Sequence, residues 1–130
     1  MEFCGRPAVL LVEDEFLVLL AARDFLAEAG FLVLDAENAD GALALLDDHP
    51  ETGLVFTDIN MPGSMDGVGL AHVVSRRRPD VHVVLTSGRA APAAADMPLG
   101  ARFVEKPYGM GDISEMFKTL LASGGDRLLL

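Results

Sequence analysis

The chain has 130 residues, enough for one substantial core but not two, and its 20 acidic side chains against 10 basic ones leave a net charge of −10. That balance excludes recognition of nucleic acid through its phosphates, which needs a basic face, and it favours a cation or a basic partner. Cys4 is the only cysteine, no apolar run reaches the length of a membrane span, and residues 1–7 lack the long apolar stretch of a signal peptide; a soluble, cytoplasmic protein without disulfides is expected.

Residues 8–12 are continuously apolar and read as a strand buried on both faces, followed at once by Glu13, Asp14 and Glu15. Residues 16–29 read as a helix closed by Gly30, with Val18, Ala21, Ala22, Phe25, Leu26 and Ala29 at helical spacing on its inward face. Phe16 and Leu20 fall on the other side with Arg23, Asp24 and Glu28. They are either scattered surface hydrophobes or a docking patch beside the acidic cluster. Residues 31–36 give the next strand, and Asn38 can cap a short helix that carries Leu43 and Leu46 inward.

Leu54, Val55, Phe56 and Thr57 form another two-sided strand, and it ends in a carboxylate, Asp58. Pro62 and Gly63 stop both strand and helix just beyond, so Asp58 belongs at the open carboxyl end of the strand, where α/β sheets place their sites. Asp66 can cap a helix to residue 78 with Leu70, Val73 and Val74 inward and Arg76, Arg77 and Arg78 at the negative end of its dipole. Residues 81–86 form a fourth strand ending in Thr86. Residues 88–100 are alanine-rich and broken by Pro92 and Pro98, leaving room only for a short helix near 93–97. Residues 101–105 form a fifth strand leading to Lys106 and Pro107. A last helix at 112–122 carries Ile113, Met116, Phe117 and Leu120 inward, with Asp112 and Glu115 resembling a capping box. Residues 123–130 are a tail whose Leu128, Leu129 and Leu130 either continue the helix, cover an edge or do neither.

Five strands alternating with five helical segments predict one α/β domain over 1–130, with its core at about 8–122 and a doubly wound parallel sheet. Right-handed crossovers put all strand carboxyl ends on one rim, where Glu13, Asp14, Asp58, Thr86 and Lys106 then meet. Carboxylates crowded together take up a proton or a cation, and oxygen-only ligands open to water suit Mg2+. Lys106 adds a compact positive charge and Thr86 a hydroxyl. Together these groups fit a phosphoryl group carried by, or arriving at, Asp58. Taken singly, each has a plain structural explanation as a salt bridge, a strand-end residue or acids at a helix start. His49, His72 and His82 are dispersed and lack metal spacing.

Glu13-Asp14 after the first strand, Asp58-Ile-Asn-Met-Pro with Met65-Asp66-Gly67 after the third, Thr86-Ser87-Gly88 after the fourth and the Phe103 to Tyr108 run after the fifth resemble the receiver domain of two-component response regulators. The resemblance implies a flavodoxin-like sheet of order 2-1-3-4-5. It implies that Asp58 accepts phosphate from the phosphohistidine of a sensor histidine kinase or histidine phosphotransfer protein. It further implies that Asp14, Asp58 and the backbone carbonyl of Asn60 ligate Mg2+ with Glu13 acting through water, that Lys106 and Thr86 contact the phosphoryl group, and that Lys106-Pro107 is cis. Thr86 and Phe103 would be the switch residues, read out on the face of the fourth helix, fifth strand and fifth helix. Glu13 in place of the commoner Asp, Phe103 without a tyrosine hydroxyl and an added residue in the stretch from Pro62 to Met65 depart from the pattern. With the chain ending at Leu130, no effector domain is expected, and the output would be a protein contact in trans, with homodimerisation open. A dehalogenase-like phosphatase would want a second acid where Asn60 stands, and a nucleotide-binding module would want a Gly-rich phosphate cradle where Glu13 to Glu15 stand. The remaining alternative is a receiver-like interaction module that works without phosphorylation.

Overall fold

The structure is a computed structural model that describes residues 8–89 and 91–128, with side-chain surroundings through Ala122. Cys4 and the last two leucines, Leu129 and Leu130, lie outside the described residues. The elements alternate in the order β1 (Ala8–Val12), α1 (Phe16–Glu28), β2 (Leu32–Ala36), α2 (Ala39–Asp48), β3 (Thr52–Asp58), α3 (Gly67–Arg77), β4 (His82–Ser87), a single 3-10 turn (Ala94–Asp96), β5 (Arg102–Glu105) and α4 (Met110–Leu128). The strands form one parallel sheet in the order β2-β1-β3-β4-β5.

Alternation along the strands divides the core in two. Leu10, Val12, Val55, Val83 and Leu85 point to one face, where α2 brings Ala39, Ala42 and Leu46 and α3 brings Leu70, Ala71 and Val74. Val9, Leu11, Leu54, Phe56 and Val84 point to the other, under Leu19, Ala22 and Leu26 of α1 and Ile113, Phe117 and Leu120 of α4. Covering both faces explains why the central strands β1, β3 and β4 read as apolar runs, while the edge strands β2 and β5 carry Asp35 and Arg102. Side-chain caps start two of the helices: Asn38 Oδ1 accepts from Gly41 N at 2.8 Å, and Asp66 Oδ1 accepts from Gly69 N at 3.0 Å.

Four expectations need correction. The buried face of α1 is Leu19, Ala22 and Leu26, while Val18, Ala21 and Phe25 lie exposed. Residues 16–22 are apolar without interruption, so spacing alone could not fix the rotation of the helix about its axis. On α3 the fully buried neighbour of Leu70 and Val74 is Ala71 and not Val73. Among the described residues the fourth crossover holds a single 3-10 turn, because Pro92 and Pro98 bracket it and leave too few N–H donors for an α-helix, so four α-helices stand among them where five helical segments were expected. The last helix begins at Met110, which makes Asp112 a first-turn acid favoured by the dipole and not a cap, and it continues through Leu128.

Phe117 is fully buried and meets Phe31 and Phe56 edge to face, with ring centroids 6.2 and 5.2 Å away. Phe117→Ala should cost about 3–5 kcal/mol in urea unfolding; a loss under about 1 kcal/mol would contradict the packing of α4 on the sheet.

Candidate functional site

The register of the sheet assembles the site. Val12 pairs with Thr57, so Glu13 emerges beside Asp58; Asp58 pairs with Thr86; Ser87 pairs with Glu105, so Lys106 is the next residue to leave the rim. Hydrogen bonds continue the ladders past the strands: Ile59 N donates to Thr86 O at 2.9 Å and Lys106 N to Ser87 O at 3.0 Å. Glu13, Asp58, Thr86 and Ser87 are all buried, and Asp14 is exposed.

Lys106 Nζ donates to Asp58 Oδ2 at 2.6 Å and lies 3.7 Å from Glu13 Oε1. The second Asp58 oxygen, Oδ1, accepts from Asn60 N at 2.9 Å. Glu13 Oε2 accepts from Glu15 N at 3.1 Å. Burial lifts the Glu13 carboxyl above its ordinary range; the Glu15 amide and Lys106 pull it back only in part, and the charges of Asp58 and Asp14 add to the rise. For Lys106, burial opposes the charged form, but the hydrogen bond and charge of Asp58 together with Glu13 outweigh it, and the ammonium is held above its ordinary value. Burial also pushes the neighbouring Tyr108 phenol up.

A crevice of about 20 Å³, lined by Leu11, Glu13, Phe56, Asp58, Thr86 and Tyr108 among others, reaches in behind the acids. Thr86 Oγ1 is buried and has no hydrogen-bond partner. A buried hydroxyl left unpaired is costly, so it marks a place where a ligand oxygen would be welcome. Phe103 lies opposite Leu85 in the register and packs with the cluster on the α2 and α3 face, whereas Thr86 lies opposite Val104. The two expected switch residues therefore project to opposite faces of the sheet. Lys106-Pro107 is a cis peptide.

The expected donors, Asp14, Asp58 and the Asn60 carbonyl with Glu13 through water, are all oxygens, a chemistry that suits Mg2+. Among the described residues no group of three His, Cys, Asp or Glu is gathered into a ready metal cage. The Lys106 ammonium, lying against both Glu13 and Asp58, supplies the positive charge there.

Three contributors were not assigned roles by the sequence reading. Gly67 lies so close under the loop that an added Cβ would sit 2.3 Å from the Asp58 carbonyl oxygen and 2.7 Å from Ile59 Cα; its place after Asp66 was the only signal. Ser87 Oγ accepts from Asn60 Nδ2 at 2.9 Å. Leu17 is 76% exposed and, with Val18, Ala21, Pro107, Tyr108 and Met110, lines an open groove of about 700 Å³ beside Lys106. Phe16 is 66% exposed next to it, while Leu20 is half-buried.

The chain matches the response regulator receiver domain over residues 9–118 and belongs to that family. It is a signalling domain of two-component response regulators and not a conventional enzyme. The response regulator receiver protein CpdR of Brucella abortus (strain 2308) is 33% identical over 119 residues, which make up 88% of this chain and 98% of CpdR. The CheY-like receiver domain protein of Methanospirillum hungatei JF-1 superposes with a TM-score of 0.86 at 25% identity, over 95% of this chain and 99% of that one. The response regulator TrrA of Thermotoga maritima, in complex with Mg2+-BeF, gives 0.75 at 24% identity over 87% of this chain and 97% of its own. Other curated relatives are much longer, and the chain spans 13% of one and 23% of another. Among the described residues no helix is long and apolar enough to cross a membrane.

Two outcomes follow from this geometry. A Cβ at Gly67 must push backbone, so Gly67→Ala should cost about 1–3 kcal/mol in urea unfolding; a neutral result would contradict the close approach of α3 to the Asp58 loop. Because Glu13 is raised above its ordinary 4.5, the folded protein retains a proton there that the unfolded chain releases, and this group makes stability fall as pH rises above that value. In metal-free buffer Glu13→Gln should therefore lose less stability than wild type between mildly acid and neutral pH, and an equal slope would remove the assigned shift.

Proposed function

We infer that Asp58 is the phosphoryl acceptor of a two-component or phosphorelay pathway, taking its group from the phosphohistidine of a sensor histidine kinase or histidine phosphotransfer protein. The observation that carries this reading is the buried Asp58 carboxylate with Lys106 Nζ at 2.6 Å and an unpaired Thr86 Oγ1 paired in register beside it. One cation on a carboxylate and one unpaired hydroxyl lining the same crevice suit oxygens that arrive with the transferred group.

In the transfer, an Asp58 oxygen forms a bond to phosphorus as the donor's P–N bond breaks, and the imidazole leaves with the bonding electrons. Lys106 shifts its charge from the carboxylate to a phosphoryl oxygen, and Thr86 donates its hydroxyl proton to another. Asp14, Asp58 and the Asn60 carbonyl would hold Mg2+, with Glu13 through water, and the ion supplies further neutralisation of the transferring oxygens. Phe103, on the edge strand β5, would be read by a downstream protein in trans once Thr86 is drawn toward the phosphoryl group. The acidic balance and single cysteine support a cytoplasmic setting. The donor would dock on Phe16 and Leu20 at the start of α1, beside the Leu17 groove and within reach of the rim.

Intact mass after incubation with acetyl phosphate and Mg2+ tests the reading: one phosphoryl adduct is expected, absent from Asp58→Asn and after metal chelation. No adduct on folded protein would favour the interaction module that works without phosphate. Lys106→Ala should slow adduct formation by about 10²-fold, the scale of removing one preorganised donor, and an unchanged rate would sink its role. Phe16→Asp should slow transfer from the protein donor about tenfold, equivalent to about 1.4 kcal/mol, and leave uptake from acetyl phosphate intact; equal effects on both would remove the docking claim.

A further inference from the structure

The Ser87 side chain is 2% exposed, yet its hydroxyl does not serve the core. Ser87 Oγ accepts from Asn60 Nδ2 at 2.9 Å and from Arg89 N at 3.0 Å. Its carbonyl accepts Lys106 N at 3.0 Å. One residue thus holds the loops after β3, β4 and β5 together at the rim. Asn60 is doubly engaged in turn, since its backbone N–H fixes Asp58 Oδ1 while its carboxamide reaches across to β4. The Asn60 side chain therefore links the loop after β3 to the end of β4, next to Thr86, which pairs with Asp58. Arg89 begins the crossover whose described residues hold a single 3-10 turn, and the other anchors of that segment, the His72 Nε2 bond to Asp96 O and the packing of Met97, come later along it.

We propose that Ser87 is a positioning residue for phosphoryl turnover: its buried hydroxyl holds the Asn60 carboxamide across the β4 side of Asp58 and ties it to the start of the β4–β5 crossover. The proposal rests on Asp58 being the phosphoryl acceptor. Loss of the group is hydrolysis: water attacks phosphorus, the bond from phosphorus to the Asp58 oxygen breaks, the carboxylate is regenerated, and inorganic phosphate leaves as the water's proton passes to solvent. A carboxamide pinned over one side of the carboxylate restricts water there. Released, it swings into solvent and opens that side.

The test follows decay of the Asp58 adduct by intact mass after the acetyl phosphate is removed, for wild type, Ser87→Ala, Ser87→Thr, Asn60→Ala and the Ser87→Ala/Asn60→Ala double variant. Ser87→Ala should shorten the lifetime several-fold, Asn60→Ala should do the same, the double variant should add nothing further, and Ser87→Thr should restore the lifetime by keeping the hydroxyl. An unchanged Ser87→Ala lifetime, or effects that simply multiply in the double variant, overturns the proposal. Amide hydrogen exchange in unphosphorylated protein separates the bridge from the reaction. Both single variants should speed exchange in residues 88–100, and a segment that does not respond also overturns the proposal. If wild type forms no adduct while exchange responds as expected, the bridge stands, the acceptor reading fails, and the turnover role is overturned with it.

Discussion

A carboxylate that is only 7% exposed at the end of a central strand must have a partner. Asp58 has two, the Lys106 ammonium on one oxygen and the Asn60 backbone amide on the other. Lys106 comes from the strand at the far edge of the sheet, so β3, β4 and β5 must all hold their register for the pair to form. Removing one member of such a pair leaves a buried uncompensated charge, which typically costs about 3–5 kcal/mol. The parallel sheet and its two apolar layers provide the frame; the ion pair is the point at which that frame is committed to one rim geometry.

The same rim is held by a second, neutral set of bonds. Ile59 N to Thr86 O, Lys106 N to Ser87 O and the Ser87 hydroxyl link the loops without using charge. Gly67 presses from below, close enough that no side chain fits between α3 and the Asp58 carbonyl. Within the proposed role, charge can therefore be redistributed between Lys106, Glu13 and Asp58 while the backbone around them stays in place. The β4–β5 crossover is more lightly held: among its described residues Met97 packs on the α2 and α3 face and His72 Nε2 donates to Asp96 O at 2.8 Å, where the other crossovers pack an α-helix. Leu99, fully exposed in that stretch, shows how little of the segment is buried.

The three central strands, β1, β3 and β4, were legible because strands covered on both faces demand unbroken apolar runs, and acids and Thr86 interrupt those runs only at their ends. The caps at Asn38 and Asp66 were legible for a local reason, since a cap needs only its own side chain and an amide three residues on. The face of α1 was not, because seven consecutive apolar residues give every rotation a comparable burial pattern. The last helix starts two residues before its expected start, since Asp112 favours a first turn nearly as well as a cap.

The amino-acid sequence by itself therefore determined the fold class, the rim on which the chemistry gathers and the residue types that gather there, because periodicity and turn residues act over a few positions and right-handed crossovers do the rest. Only the tertiary structure decided that Lys106 reaches Asp58 and Glu13 together, that Thr86 Oγ1 is left unpaired, that Phe103 and Thr86 face opposite sides of the sheet, and that Ser87 bridges Asn60 to Arg89. These depend on strand register and on distances between side chains 27 and 48 residues apart in the chain, and no local pattern carries that information.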